Sequence, residues 1–275
     1  MNGIKPIKLK SIKKEYIWGT EEWLLSYLHE GYEDIPLLIK KITAEDSLSV
    51  QVHPGDDYAR EKEGSSGKTE MWYILDCEPD AYLYYGLKHK ISANEFLKRI
   101  KNASITEVCQ KVPVKRGDVF YIPAGLVHAI GKGITVAEIQ QSSNITYRVY
   151  DYEREDANHQ KRELHIEQAS QVAAFRPPLQ GHRPMGLCVK KDGYQKTLLV
   201  QCPYFTVHLY EVLEKMQGNT MENFAVLFVT EGEGVLSSEG ETLSLNTDDC
   251  IFLPKGMENY EVRGNVKLLK SEVAG

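Results

Sequence analysis

The sequence predicts a mainly β protein that is built from two related β-barrels and a few short helices. Short runs rich in Val, Ile, Tyr and Phe alternate with turns that contain Gly, Pro and Asp. This spacing favours a sandwich or a barrel. In addition, one turn, strand and turn segment occurs twice along the chain, which indicates two halves of related structure.

The elements can be assigned in chain order from these patterns. Strands are predicted for the apolar runs 37–42, 48–52, 72–75, 81–85 and 119–122. Helical spacing is clearest over 92–101, where Ser92 can act as the N-cap and Glu95 completes a capping box. Shorter helical turns are predicted for 104–110 and 21–27.

The repeated segment ends differently in its two copies. The first copy, 117–128, runs through a Gly-Asp turn, an apolar strand and a Pro-x-Gly turn to His128. The second copy, 248–259, keeps this order but has Asn259 at the corresponding position. We therefore predict a metal-binding domain of residues 1–175 and a degenerate C-terminal domain of residues 176–275 without metal ligands. Two consecutive prolines at 177 and 178 break regular structure near the predicted boundary.

Composition and charge exclude several classes of protein. The 275-residue chain has a formal net charge of −6, which argues against a general nucleic-acid surface because such a surface is cationic. Its five cysteines are widely spaced and form no CxxC pair, as expected for reduced thiols. It has no apolar run long enough for a membrane span and no signal-peptide pattern at its start. We expect a cytoplasmic protein with no membrane partner.

Four side chains from separated stretches form a candidate metal site. Gln51 and His53 lie two residues apart on a predicted strand, so both project from one face. Glu70 stands at the start of the next strand, and His128 ends the Pro-x-Gly turn. Two histidines and one carboxylate, with room for water or substrate, are the ligand set of a catalytic zinc site. Mn²⁺, Fe²⁺ and Co²⁺ also bind nitrogen and oxygen ligands, so the residue types leave the metal open.

The first half of the chain resembles the cupin pattern, and its details resemble type I mannose-6-phosphate isomerases in a short bacterial form. The similarity extends through Cys202-Pro-Tyr-Phe and covers nearly the whole chain. The segments that carry it are Pro36-Leu-Leu-Ile-Lys-Lys-Ile, Leu48-Ser-Val-Gln-Val-His-Pro, Gly67-Lys-Thr-Glu, Tyr121-Ile-Pro-Ala-Gly-Leu-Val-His-Ala and Glu138-Ile-Gln-Gln-Ser-Ser-Asn-Ile-Thr-Tyr-Arg-Val-Tyr.

The resemblance implies a fold, a cofactor and a substrate. The two barrels are expected to be cupin-like jelly rolls, with residues 1–175 as the catalytic cupin domain. One zinc ion per chain is expected on Gln51, His53, Glu70 and His128. The implied reaction interconverts mannose 6-phosphate and fructose 6-phosphate by proton transfer between C1 and C2 through an enediol.

The resemblance also implies roles for further residues. Arg148 matches the active-site arginine of the family and would stabilise negative charge on the enediolate. Lys68 lies two residues before Glu70 and is expected to contact sugar oxygens or carry a proton, and Glu138 is a candidate base or proton relay. For the phosphate group, the matched positions are Ser49 and Arg154.

Each of these assignments has an alternative. Glu138 could orient Arg148 or a ligand histidine, Lys68 could be a solvated rim charge, and Arg148 could form a structural pair with Asp151. A non-catalytic sugar-phosphate-binding cupin and a metal-dependent cupin oxygenase are alternative functions, although the glutamine at position 51 disfavours the oxygenase. The segment after Trp18 is shorter than is usual in the family, which leaves the preferred sugar phosphate open. The sequence leaves the oligomeric state open as well.

Overall fold

The computed structural model describes residues 4–32, 34–155 and 158–274, and within these ranges the protein is mainly β, as predicted. The strands are β1 Ile7–Leu9, β2 Ile12–Tyr16, β3 Gly19–Leu25, β4 Leu37–Ala44, β5 Val50–Val52, β6 Glu70–Cys77, β7 Tyr82–Leu87, β8 Cys109–Pro113, β9 Val119–Ile122, β10 His128–Ile130, β11 Ile134–Gln141, β12 Tyr147–Tyr150, β13 Cys188–Lys191, β14 Tyr194–Gln201, β15 Phe205–Val212, β16 Lys215–Gly218, β17 Ala225–Ser238, β18 Glu241–Asn246, β19 Cys250–Leu253 and β20 Tyr260–Val273. The helices are α1 Asp56–Glu63, α2 Ala93–Lys101, α3 Ile105–Val108 and α4 Ile166–Val172. Helices α1 to α4, which lie in the described ranges, lack the length and hydropathy of a membrane span.

The chain divides into two compact units. Residues 13–23 and 38–182 form one, which we call the N-terminal unit. The other, the C-terminal unit, contains the chain from residue 183 onward together with the segment that ends at residue 12 and the segment 24–37. This division falls after residue 182, and the functional domains 1–175 and 176–275 stay a prediction.

The N-terminal unit is built on two sheets that share one core. One sheet has five strands in the order β12-β5-β10-β7-β8, and the other has six in the order β2-β3-β4-β11-β6-β9. Buried apolar side chains from both sheets form a single cluster, in which Leu83 and Tyr85 of the first meet Trp72 and Phe120 of the second. The two sheets therefore pack face to face.

Helices cover the other face of the five-stranded sheet. Val50 and Val52 of β5 pack with Phe96 of α2 and Ala169 of α4 in a second buried cluster. Because successive strand residues point to opposite faces, burying Val50 and Val52 under the helices turns Gln51 toward the other sheet. The alternation along β5 thus determines which residues face the interior between the sheets.

The predicted helices had mixed outcomes. The helix predicted for 92–101 is confirmed as α2, and the Ser92 hydroxyl accepts a hydrogen bond from the Glu95 backbone N–H at 3.1 Å. The Glu95 side chain lies 3.5 Å from Arg99, so it pairs along the helix. The helical turn predicted for 104–110 is confirmed by α3.

The helix predicted for 21–27 is wrong, because this stretch lies largely in strand β3. Gly19, Glu21 and Trp23 are buried while Thr20 and Glu22 between them are more exposed, which is a period of two. Strand β3 lies between β2 and β4 in the sheet. Its backbone hydrogen-bonding groups are therefore used by two neighbouring strands, and this tertiary pairing outweighs local helix propensity.

The repeated segment has the same local geometry in both copies. Asp118 and Asp249 each accept, through Oδ2, the backbone N–H of the residue three positions earlier, at 2.9 and 2.7 Å. Strands β9 and β19 follow, and the Pro-x-Gly turns after them place Gly125 and Gly256 at φ of 86° and 95°. This agreement supports two halves of related structure. The closure of each half into a cupin barrel stays a prediction.

The C-terminal unit contains a nine-stranded sheet. Its main order is β1-β19-β17-β20-β15-β14-β13, with β16 paired to β20 and β18 paired to β17. One face carries a buried cluster that includes Tyr210, Leu227, Tyr260 and Leu268.

We expect replacement of Phe96 by Ala to lower the free energy of unfolding by about 3–5 kcal/mol, because it removes a fully buried aromatic ring from the cluster under α2. Urea denaturation followed by circular dichroism measures this. Lys98→Ala on the exposed side of the same helix is the control, with an expected change below about 0.5 kcal/mol. Equal effects of the two substitutions would contradict the packing described here.

Candidate active site

Three predicted ligands meet between the sheets of the N-terminal unit. His53 follows β5, His128 opens β10 on the same sheet, and Glu70 opens β6 on the facing sheet. Glu70 Oε1 lies 3.3 Å from His128 Nε2, and Glu70 Oε2 lies 3.5 Å from His53 Nε2. All three side chains are buried, and their ligand atoms lie within 4.8 Å of one another.

The second nitrogen of each imidazole is held by the backbone. His53 Nδ1 lies 2.8 Å from the carbonyl oxygen of Ile145, and His128 Nδ1 lies 2.7 Å from that of Leu126. A ring nitrogen that faces a carbonyl carries the proton, so Nε2 of each ring presents its lone pair toward Glu70. Burial lowers the pKa of His53 well below its ordinary value and the pKa of His128 to about 4, so both rings are neutral.

The residues fit a divalent cation. Glu70 Oε1 and His128 Nε2 accept no hydrogen bond from any residue in the described ranges, although both are buried. Leaving such atoms without a partner is costly, and a metal ion would satisfy them. The Lys68 ammonium lies 2.9 Å from Glu70 Oε2 and 3.3 Å from His53 Nε2. A positive charge is therefore already stabilised next to these two predicted ligand atoms. Burial raises the pKa of Glu70 to about 7, and Glu138 adds to the shift.

Gln51 lies next to this group. On β5 it is in register with His128 of β10 on one side and with Arg148 of β12 on the other. Directly opposed residues project from the same face, so the Gln51 amide shares the inner face with both side chains. Its role as a fourth ligand stays a prediction.

A cavity of about 420 Å³ is lined by Lys68, whose ammonium lies 2.9 Å from Glu70 Oε2, and by Gln51, whereas His53, Glu70 and His128 are outside the described lining. It brings together five of the predicted residues, namely Ser49, Gln51, Lys68, Glu138 and Arg148. Lys68 is only 5% exposed. It is therefore a buried charge of the site and not a solvated rim charge.

Glu138 is held by two groups. Its Oε2 accepts a hydrogen bond from Trp72 Nε1 at 2.8 Å, and its Oε1 lies 3.2 Å from Lys40 Nζ. Burial acts to raise the pKa of Glu138, but Lys40 and Lys68 outweigh it and lower the pKa to about 2. Glu138 is therefore an ionised group paired with Lys40.

Sequence reasoning missed Lys40. This lysine on β4 is 4% exposed and also lies 3.6 Å from Glu21 Oε2. A signal was present in the sequence. Lys40 lies two residues from both Leu38 and Ile42 in a predicted strand, so it shares their apolar face, and a lysine buried on such a face has to be paired. Lys14, Tyr16, Trp18 and Trp23 also line the cavity and were not predicted.

Arg148 and Arg154 have other partners than the alternatives considered from the sequence. Arg148 Nη1 donates to the carbonyl oxygen of Glu163 at 2.8 Å. Asp151 instead binds Arg162, at 2.7 and 2.5 Å, and Arg154, at 2.6 Å. Arg162 lines the cavity together with Arg148, whereas Arg154 is outside the described lining and approaches Asp46. Arg162 follows a loop after β12, and nothing in the sequence pattern indicated it.

Comparison with known proteins finds relatives of one family. A family model described as the mannose-6-phosphate isomerase cupin domain matches residues 195–273. The mannose-6-phosphate isomerase of Streptococcus mutans serotype c is 38% identical over 236 residues, which cover 86% of this chain and 73% of that protein.

Solved structures show the same fold. The crystal structure of mannose 6-phosphate isomerase from Bacillus subtilis aligns with a TM-score of 0.89 and 32% identity, over 97% of this chain and 99% of that one. A mannose 6-phosphate isomerase described as bound with zinc and yttrium aligns with a TM-score of 0.71 and 14% identity, over 98% and 99% of the two chains. The extent of the S. mutans and B. subtilis matches decides the family: the chain belongs to the type I mannose-6-phosphate isomerases of the cupin superfamily.

Proposed function

We propose that the chain interconverts mannose 6-phosphate and fructose 6-phosphate through an enediol, with one zinc ion on Gln51, His53, Glu70 and His128. The observation that carries this proposal is the convergence of a buried carboxylate and two neutral imidazoles beside a cavity with a cationic wall. Two nitrogens and one carboxylate suit zinc, and a relative of the same fold is described as zinc-bound. When bound, zinc supplies Lewis-acid stabilisation of negative charge on the sugar oxygens.

The charged side chains of the cavity have separate roles in the proposed reaction. Arg148 lines the cavity, so its guanidinium could stabilise an oxyanion that forms at C1 or C2. Lys68 is within hydrogen-bonding distance of Glu70 and lines the cavity, which suits a proton carrier at a sugar oxygen. Glu138, with a pKa near 2, is a weak base, and we assign it to holding Lys40 at the cavity wall.

The phosphate group needs a cationic end of the cavity. The predicted binders were Ser49 and Arg154. Ser49 lines the cavity and is retained, and the position of Arg162 in the lining supports Arg162 as the partner of Ser49. Asp151 bonds to Arg162 through both carboxylate oxygens and therefore holds the guanidinium in one orientation, as a phosphate clamp requires.

Replacement of His128 by Ala is expected to abolish metal binding and to lower kcat by a factor of about 10³ or more, because it deletes a ligand of the proposed metal centre. Metal analysis and a coupled assay for fructose 6-phosphate measure the two effects. His159→Ala, at a histidine that is 90% exposed, is the control and should retain both. Chelation of the wild-type protein should abolish activity, and added zinc should restore it. Full turnover by the His128 variant would exclude the proposed centre.

Arg162→Met is expected to raise KM for mannose 6-phosphate about tenfold or more, since it removes a charge-assisted hydrogen bond to the phosphate. Arg154→Met serves as the matched comparison, with a smaller change expected because Arg154 also pairs with Asp151 but is outside the described lining of the cavity. Inhibition by inorganic phosphate should weaken in parallel with KM in the Arg162 variant. A larger increase in KM for Arg154→Met than for Arg162→Met would indicate that Arg154 binds the phosphate group.

The two other functions make different predictions. A non-catalytic sugar-phosphate-binding cupin would bind the substrate without forming fructose 6-phosphate. A cupin oxygenase would consume oxygen and contain iron. The same coupled assay, with oxygen uptake and metal analysis, separates all three functions. A cytoplasmic location and the absence of membrane and nucleic-acid partners stay predictions.

A further inference from the structure

The segment that carries Lys68 is held by two side chains from other parts of the N-terminal unit. The backbone N–H of Gly67 donates to Asp56 Oδ1 at 2.8 Å. The backbone N–H of Thr69 donates to Gln141 Oε1 at 2.9 Å, and the Gln141 backbone N–H donates in return to the Thr69 carbonyl oxygen at 3.1 Å. Both chain neighbours of Lys68 are therefore fixed by hydrogen bonds.

The two side chains that hold this segment also bind each other. Gln141 Nε2 donates to Asp56 Oδ1 at 3.0 Å, so this carboxylate oxygen accepts two hydrogen bonds. The Thr69 N–H can only donate and an ionised carboxylate can only accept, which sets the orientation of the Gln141 amide. Gln141 is buried, and loss of either hydrogen bond would leave one of its polar atoms unpaired. A side chain with both a donor and an acceptor at its end is therefore required here.

The backbone of the segment also packs tightly against the start of α1. The Lys68 N–H donates to the Pro54 carbonyl oxygen at 3.0 Å. A Cβ at position 67 would lie 2.6 Å from the Asp56 backbone nitrogen and 2.9 Å from the Pro54 oxygen, so only glycine fits at Gly67. Pro54 directly follows His53. The segment is thus bound to the stretch that carries one of the predicted ligands.

Further hydrogen bonds reach the turn before His128. The Ala124 N–H donates to Thr69 Oγ1 at 3.4 Å. The Gly125 N–H donates to the His53 carbonyl oxygen at 2.9 Å. The three stretches that carry the predicted ligands are therefore connected by hydrogen bonds of backbone groups.

We propose that Gln141 and Asp56 are positioning residues, which hold the backbone at Lys68 so that its ammonium reaches the substrate. Lys68 lines the cavity, and its Nζ lies 2.9 Å from Glu70 Oε2. Because a lysine side chain is long and flexible, an ordered backbone at its base reduces the number of positions that the ammonium can take. A reacting group held in one place lowers the entropic part of the barrier. The inference rests on the proposed isomerase function, in which Lys68 carries a proton at a sugar oxygen.

Exchange of the donor and the acceptor between the two positions tests the proposal. Gln141→Glu keeps the size of the side chain and the acceptor for the Thr69 N–H, but it places a second carboxylate against Asp56. In the double variant Gln141→Glu with Asp56→Asn, the donor lies at position 56 and the acceptor at position 141, so the hydrogen bond between them can form again. Gln171→Glu is the matched control, since Gln171 is exposed on α4 and accepts a hydrogen bond from the Tyr58 hydroxyl.

Two measurements on the full chain give the result. The first is kcat and KM for mannose 6-phosphate in the coupled assay with zinc, and the second is hydrogen exchange of the amides at 67–69, followed by mass spectrometry. Gln141→Glu is expected to lower kcat about tenfold or more, to change KM less than about threefold, and to speed the exchange about tenfold. The double variant should return kcat to within about threefold of the wild type and restore slow exchange. Gln171→Glu should change neither.

Unchanged kcat or unchanged hydrogen exchange in Gln141→Glu overturns the proposal, as does a double variant in which kcat stays low. Should Gln141→Glu fail to fold, Asp56→Ala removes the shared carboxylate from a partly exposed position and decides by the same two measurements. If the wild type forms no fructose 6-phosphate, the proposed function fails. The loss and recovery of slow exchange at 67–69 then still decide whether Gln141 and Asp56 hold the segment.

Discussion

A carboxylate buried between two sheets and facing two neutral imidazoles is the constraint on which the N-terminal unit depends. Glu70 is fully buried, and its charge is balanced by Lys68 at 2.9 Å. Glu138 and Lys40 form a second buried pair at 3.2 Å within the same cavity wall. In a medium of low dielectric constant, each of these charges is strongly unfavourable without its partner. The positions of the strands that carry them are therefore narrowly defined.

Trp72 connects this charged layer to the apolar core. Its ring lies edge-on to the His128 ring, with centroids 5.3 Å apart, and its Nε1 donates to Glu138. It also belongs to the core cluster that joins the two sheets. A rigid aromatic group with one polar atom thus holds both His128, a predicted ligand, and the carboxylate of Glu138. The geometry of the ligands is consequently maintained by the packing that stabilises the fold.

The repeated segment shows that the fold does not require the ligands. In the first copy the turn ends on His128, whose Nε2 faces Glu70. In the second copy Asn259 takes that position, and its backbone carbonyl oxygen accepts a hydrogen bond from the Ser238 hydroxyl. The aspartate that closes the first turn and the glycine of positive φ in the second turn are present in both copies. The turn chemistry determines the local structure, and only the first copy ends on a side chain of the candidate metal group.

The sequence by itself determined the mainly β class, the helix after Ser92, the repeated turn and the motifs that carry the three predicted ligands, because each depends on local spacing or on a motif of adjacent residues. Only the tertiary structure decided that the stretch after Trp18 is a strand, since its partners β2 and β4 supply the hydrogen bonds. It also placed Lys40 and Arg162 in the cavity and left Arg154 outside the described lining. Pairing between buried charges depends on distances across sheets and loops, and sequence spacing does not contain those distances.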